Sequence, residues 1–192
     1  RRLKQWVEKN KENDTEKAAA LQALKYLIDD LLDVFFVLHA ADLNRVAIPE
    51  TTLAYHNRQL DQIDLAAMVM HFLRFEDTDE RVYTDFLKMP VKKIKNVSKA
   101  FLFPERNEKI WFVCDQSIFG SAKEGFAMTD KALYWKSGLQ PPQRVFYHNI
   151  FSLTKEREWL LINELYFNSG ESMNTKMIWL LRRLARLFQA KL

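Results

Sequence analysis

Four histidines, one cysteine and one glycine-bounded loop are the places where this chain could hold reaction chemistry. His39, His56, His71 and His148 lie far apart in sequence. None forms the His-Glu-x-x-His pair that places two imidazoles on one helical face, and none stands at zinc-ligand spacing from Cys114. No metal site is expected. Cys114 sits inside the apolar run Lys109–Asp115 (KIWFVCD), where a thiol behaves as a small buried hydrophobe rather than as an activated nucleophile. There is no Gly-x-Ser-x-Gly elbow and no pair of placed carboxylates. The loop Gly120-Ser121-Ala122-Lys123-Glu124-Gly125 has the outline of a phosphate-binding loop, but that chemistry needs Lys and then Ser or Thr directly after the second glycine. Phe126 and Ala127 occupy those positions. No catalytic residue and no cofactor is therefore expected, and the chain reads as non-enzymatic.

Binding chemistry is better represented. Lys88, Lys92, Lys95 and Lys99 recur at three- and four-residue steps, which makes one basic stripe on a helix, with Lys93 beside it. Arg182, Arg183 and Arg186 form a second basic group near the C-terminus. Such faces suit anionic lipid headgroups, phosphate backbones or an acidic protein. The plainest reading of either is the solvated side of an amphipathic helix. The ligand-binding candidates are Lys92, Lys95 and Lys99 on the stripe, with Ser121 and Lys123 in the loop. Nucleic acid is the least favoured partner, because no exposed aromatics interleave with the lysines and no helix-turn-helix or RNA-binding signature is present.

The elements that must position these residues fall into two parts. All four glycines lie at or beyond Gly120. The glycine-free stretch before them, rich in Ala, Leu, Lys and Glu, favours helix. Asp14 or Thr15 is expected to cap a helix running to about Asp42. Its apolar face is Leu21, Leu24, Leu27, Ile28, Leu31, Leu32, Phe35 and Leu38. A second helix is expected from Arg58 to Phe75, a shorter one over Val82 to Leu87, and another opened by Pro90 that turns Ile94, Val97 and Phe101 inward.

From Lys109 onward the pattern is short aromatic and β-branched runs broken by turn residues: 109–115, 125–128, 131–136, 144–148, 150–154 and 159–167. A last amphipathic helix carries Met177, Leu180, Leu181, Leu184, Leu187 and Phe188. The apolar run Leu31–Leu38 is too short for the roughly 20 residues a bilayer span needs. A single cysteine fits a reducing compartment, so the expected location is cytoplasmic.

Asp115-Gln116-Ser117-Ile118-Phe119-Gly120-Ser121-Ala122-Lys123-Glu124-Gly125, followed by Thr129 and by Leu133-Tyr134-Trp135-Lys136, resembles a pattern in bacterial PH-like domains of unassigned function. The resemblance covers about residues 88–190 and departs from the pattern at Lys131-Ala132, where a turn glycine is usual. It implies a bent antiparallel β-sheet or barrel closed by the C-terminal helix. Such scaffolds host lipid, peptide and protein recognition, so no particular ligand follows.

The expectation is thus an α+β protein: an N-terminal helical bundle over 1–80, then a PH-like β domain over 81–192 with a helical lead-in. Its expected role is a binding or adaptor module for a protein partner, or self-association through the Leu/Phe helix surface. Peripheral association with anionic membranes through the basic helix face is the alternative.

Overall fold

The computed structural model describes residues 2–39, 50–56 and 58–189. The chain divides into two compact units, Arg1–His56 and Asn57–Leu192.

In the first unit, α1 (Arg2–Leu38) runs for 37 residues, about 55 Å at 1.5 Å per residue. It does not begin at Asp14 or Thr15. No glycine or proline interrupts residues 2–38, so nothing stops the helix from extending back to Arg2, and Asp14 sits mid-helix, 4.0 Å from Lys17. The expected end at Asp42 lies outside the described residues. A six-residue 3-10 helix, Glu50–Tyr55, buries Thr52 and Tyr55. Among its described residues this unit holds one α-helix; of the second helix expected from Arg58 to Phe75, Leu65–Leu73 is α-helical and lies in the other unit.

The second unit starts at Asn57 rather than at Arg81. The reason is α2 (Leu65–Leu73), whose Met68, Val69, Phe72 and Leu73 are buried and which packs on the C-terminal helix. Asp64 caps α2 by accepting from the Ala67 amide at 3.0 Å, and Arg74 ends it in the left-handed region (φ 45°). The expected helix over Val82–Leu87 is replaced by strand β1 (Arg81–Tyr83). β1 pairs antiparallel with β2 (Ile110–Asp115), placing Val82 opposite Cys114. An open edge on β2 decides the matter: pairing supplies backbone partners that a six-residue helix would lack.

β2, β3 (Gly125–Thr129), β4 (Ala132–Lys136) and β5 (Gln143–Phe146) continue the antiparallel meander, giving the sheet order β1-β2-β3-β4-β5. The β3–β4 turn manages without glycine because the Thr129 hydroxyl accepts from the amides of Lys131 and Ala132 at 3.1 and 3.0 Å.

Both faces of this sheet are covered. On one, α3 (Val91–Ala100) and its following turn bring Val97, Phe101 and Leu102 onto Val113, Ala127 and Tyr134. Pro90 starts α3 as expected, while Ile94 stays on the surface. On the other face, Phe112, Phe126 and Trp135 meet Phe75 and Phe167 edge-on, at centroid distances of 4.9–5.9 Å.

A separate three-stranded antiparallel sheet follows: β6 (Leu153–Lys155), β7 (Leu160–Ile162) and β8 (Leu165–Phe167). The barrel alternative is not realised. The strands form two sheets, because the chain leaves β5 through a 3-10 turn (Tyr147–Asn149) instead of continuing the ladder. The run Trp159–Phe167 is two strands rather than one. Asn163 and Glu164 both take positive φ (49° and 68°), which makes a two-residue hairpin turn. The Asn163 side chain fixes it, accepting from the amides of Phe151 and Ser152 and donating to the Asn149 carbonyl. Finally α4 (Glu171–Gln189) lays Met177, Leu180, Leu181 and Leu184 against α2, β6 and the Tyr147 turn. Lys176 ties the two helices by donating to the Leu73 carbonyl at 2.9 Å.

Candidate functional site

The β2–β3 loop is organised by a carboxylate. Asp115, the last residue of β2, is fully buried, and it receives four hydrogen bonds. Its Oδ1 accepts from the amides of Ser117 and Ala122, both at 3.1 Å, and from the Ser117 hydroxyl. Its Oδ2 accepts from Lys93 Nζ at 2.9 Å. Lys93 also donates to the Tyr83 hydroxyl at 2.6 Å and lies 5.1 Å from that ring's centroid. Strand β1, helix α3 and the loop therefore converge on one ion pair, its carboxylate buried and its lysine half-buried.

Burial works against both charges, but the hydrogen bonds win. For Lys93, the contacts with Tyr83 and Asp115 outweigh desolvation and raise its pKa. For Asp115, the bonds from Ser117 and Lys93 outweigh desolvation and hold its carboxyl below the ordinary carboxylate range.

Two backbone features make the loop possible. Gly125 takes φ +135°, and a Cβ there would stand 2.0 Å from the Cys114 carbonyl oxygen. Only glycine fits. Ala122 adopts φ 56° although it has a Cβ, and its amide donates both to Asp115 and to Ser117 Oγ (2.9 Å). The amides that a phosphate-binding loop would aim at an anion are thus turned inward onto the protein's own carboxylate. Above them the loop tip presents Ile118 and Phe119 to solvent, 85% and 94% exposed.

The ligand-binding candidates lie on α3 and in this loop. Lys92, Lys95 and Lys99 lie exposed on α3, and among the described residues no ion pair engages them. Ser121 is half-buried, and its carbonyl accepts from Asn96 Nδ2 at 2.7 Å, which locks the loop to α3 between the stripe lysines. Lys123 is exposed beyond it. The loop is tied to the helix that carries the stripe. The second basic group does not hold together: Arg182 is exposed, Arg183 is buried and Arg186 is half-buried. Spacing alone does not single out Asp115, Tyr83, Ile118 or Phe119, nor the inward role of Lys93. The signals that point to them are an Asp-x-Ser turn at a strand end and an adjacent apolar pair inside a turn-rich loop.

Cys114 is buried against Glu80, with Sγ 3.7 Å from Oε2, and burial together with the Glu80 charge pushes the thiol pKa far up. The groove beside the start of α4, about 390 Å³, is lined by Thr78, Asp79, Glu80, Ser169 and Glu171 among others, with no histidine or cysteine. In the first unit, Asp30, Asp33 and His56 bring three donor atoms within 4.8 Å of one another, a grouping not anticipated from spacing. His56 Nε2 stands 3.6 Å from Asp33 Oδ2, and all three residues have further partners. Among the described residues no helix is long and apolar enough to cross a membrane. No family model, no curated protein and no solved structure matches the chain.

Proposed function

We propose that this chain is a non-enzymatic binding module on a PH-like scaffold. Its recognition surface is the Ile118–Phe119 loop tip together with the lysine face of α3. The observation that carries the reading is two adjacent, almost fully exposed apolar side chains on a loop pinned by the Lys93–Asp115 pair and tied through Ser121 to α3, the helix that exposes Lys92, Lys95 and Lys99. A loose loop would pay ordering entropy on binding; one anchored through Asp115 and Asn96 does not.

This combination fits an anionic bilayer best. Lysine is depleted at the core of protein interfaces, whereas each lysine near an anionic membrane contributes about 1 kcal/mol and the apolar pair enters the headgroup boundary. Two observations favour the PH-like scaffold: a five-stranded meander followed by a smaller sheet, and a C-terminal helix that buries its apolar face. The second reading is a protein partner, for which Phe119 would be the anchor in a pocket and the lysines the rim.

The test is co-sedimentation with anionic and neutral vesicles at low and high salt. Binding to anionic vesicles should weaken with salt and drop on the order of a hundredfold in a Lys92→Glu/Lys95→Glu/Lys99→Glu variant. Ile118→Ser/Phe119→Ser should lower it about tenfold. Wild-type protein that ignores both vesicle types at low salt rules out the bilayer and leaves the protein partner.

A further inference from the structure

We propose that α1 pairs along its length with α1 of a second copy of this chain. The exposed apolar residues of α1 are not scattered. Leu21, Leu24, Ile28, Leu31, Phe35 and Leu38 follow steps of three, four, three, four and three, the a/d seam of a heptad repeat. Leu27 and Leu32 flank it at g and e. All eight are 46–69% exposed.

The opposite side of the same helix behaves the other way round. Tyr26, Asp29, Asp30, Asp33 and Val37 are half-buried, with Val34 and Phe36 half-buried at its margins, and Asp33 faces His56. The unit therefore half-covers a mixed acidic and apolar back of its helix and leaves the eight-residue apolar front open, more apolar surface than an isolated molecule favours exposing.

Area and period together choose the occupant. Eight side chains at about half exposure offer roughly 100 Å² each, about 800 Å² in all, which is what one partner contributes to a standard stable interface and more than the largest apolar patch of an ordinary monomer. A repeat of 3.5 residues keeps its seam in register only against another helix of the same period, since a 3.6-residue stripe drifts by about 20° per heptad. A second α1 has that period by identity and can meet it in a two-fold, self-complementary interface.

Sedimentation velocity of the full chain from about 1 µM to about 100 µM tests the pairing. Wild type should sediment as a dimer over most of that range. Leu24→Asp/Leu31→Asp should raise the dimer dissociation constant more than a hundredfold, because each aspartate buries a charge in the seam. Gln22→Asp, exposed and outside the seam, should leave the dimer intact. Ile28→Asn, a substitution that a positions tolerate at reduced stability, should weaken pairing while the helix signal in circular dichroism persists. A wild type that stays monomeric throughout would overturn the proposal, whether the seam is then covered by the chain's own second unit or by a different protein. So would a dimer that Leu24→Asp/Leu31→Asp leaves unchanged.

Discussion

Helices α1 and α4 each carry a leucine-rich apolar stripe and meet opposite fates. In α4, Met177, Leu180, Leu181 and Leu184 are fully buried against α2, β6 and the Tyr147 turn. In α1, Leu21, Leu24, Leu31 and Leu38 remain about half exposed. Residue type does not separate the two. What separates them is the neighbourhood: α4 follows a turn that returns it to a sheet and a helix already presenting apolar surface. An amphipathic stripe states that a face has to be covered and leaves open what covers it.

That contrast can be broken by mutation. The largest effect should come from aspartate in the covered stripe. Leu181→Asp places an unpaired charge in a dry core, and the cooperative melting transition of the second unit should disappear. Leu31→Asp on α1 should leave that transition where it is. A similar loss from both would mean that α1 is structurally covered after all. Leu184→Ala should cost about 2–5 kcal/mol in urea denaturation, from lost transfer energy and the cavity left behind.

The Lys93–Asp115 pair should come next. Lys93→Met strands the buried carboxylate and should destabilise by about 3 kcal/mol, Asp115→Asn by less because Lys93 still reaches solvent, and the double variant should recover part of the loss. Its pH signature has a fixed sign. Asp115 is held below the ordinary carboxylate range, so its contribution is fully present above about pH 4 and fades as pH falls through its lower folded value. The acid limb of the stability profile should flatten in Asp115→Asn. A wild-type profile already flat below pH 4 would contradict the ion pair. Smallest of all, Ile118→Ser/Phe119→Ser should change stability by no more than about 0.5 kcal/mol, since both side chains stand almost wholly in solvent. A larger loss would show that the loop tip is structural.

Much of the second unit is legible in the sequence. Pro90 marks the start of α3, the aromatic runs mark β2 to β5, and the 3.6-residue pattern marks α4. Three misses share one cause, namely that tertiary partners overrule local preference. Val82 lies in a strand because β2 has an open edge, although its own neighbours allow helix. The break at Asn163-Glu164 is hidden because its second turn residue is glutamate, and the hairpin is fixed by Asn163 reaching the amides of Phe151 and Ser152. Arg183 has the spacing of a solvated cation but lies buried, its Nη2 directed at the Arg58 carbonyl 125 residues away. The site is half legible. The lysine spacing and the glycine loop are visible in the sequence, while the Asp115 hub that shapes the loop depends on Lys93 and Tyr83 arriving from two other elements.

Cys114 has a practical consequence. It is the chain's single thiol, and it lies inside the sheet, held protonated by its apolar surroundings and by Glu80. Maleimides and nitroxide reagents act on accessible thiolates, so the folded wild type should be nearly silent to them. A cysteine placed at Phe119 or Leu31 would then be the one reactive handle in the molecule. Fluorophores or spin labels could report from the loop tip or from the α1 seam without background and without removing a native residue from the core.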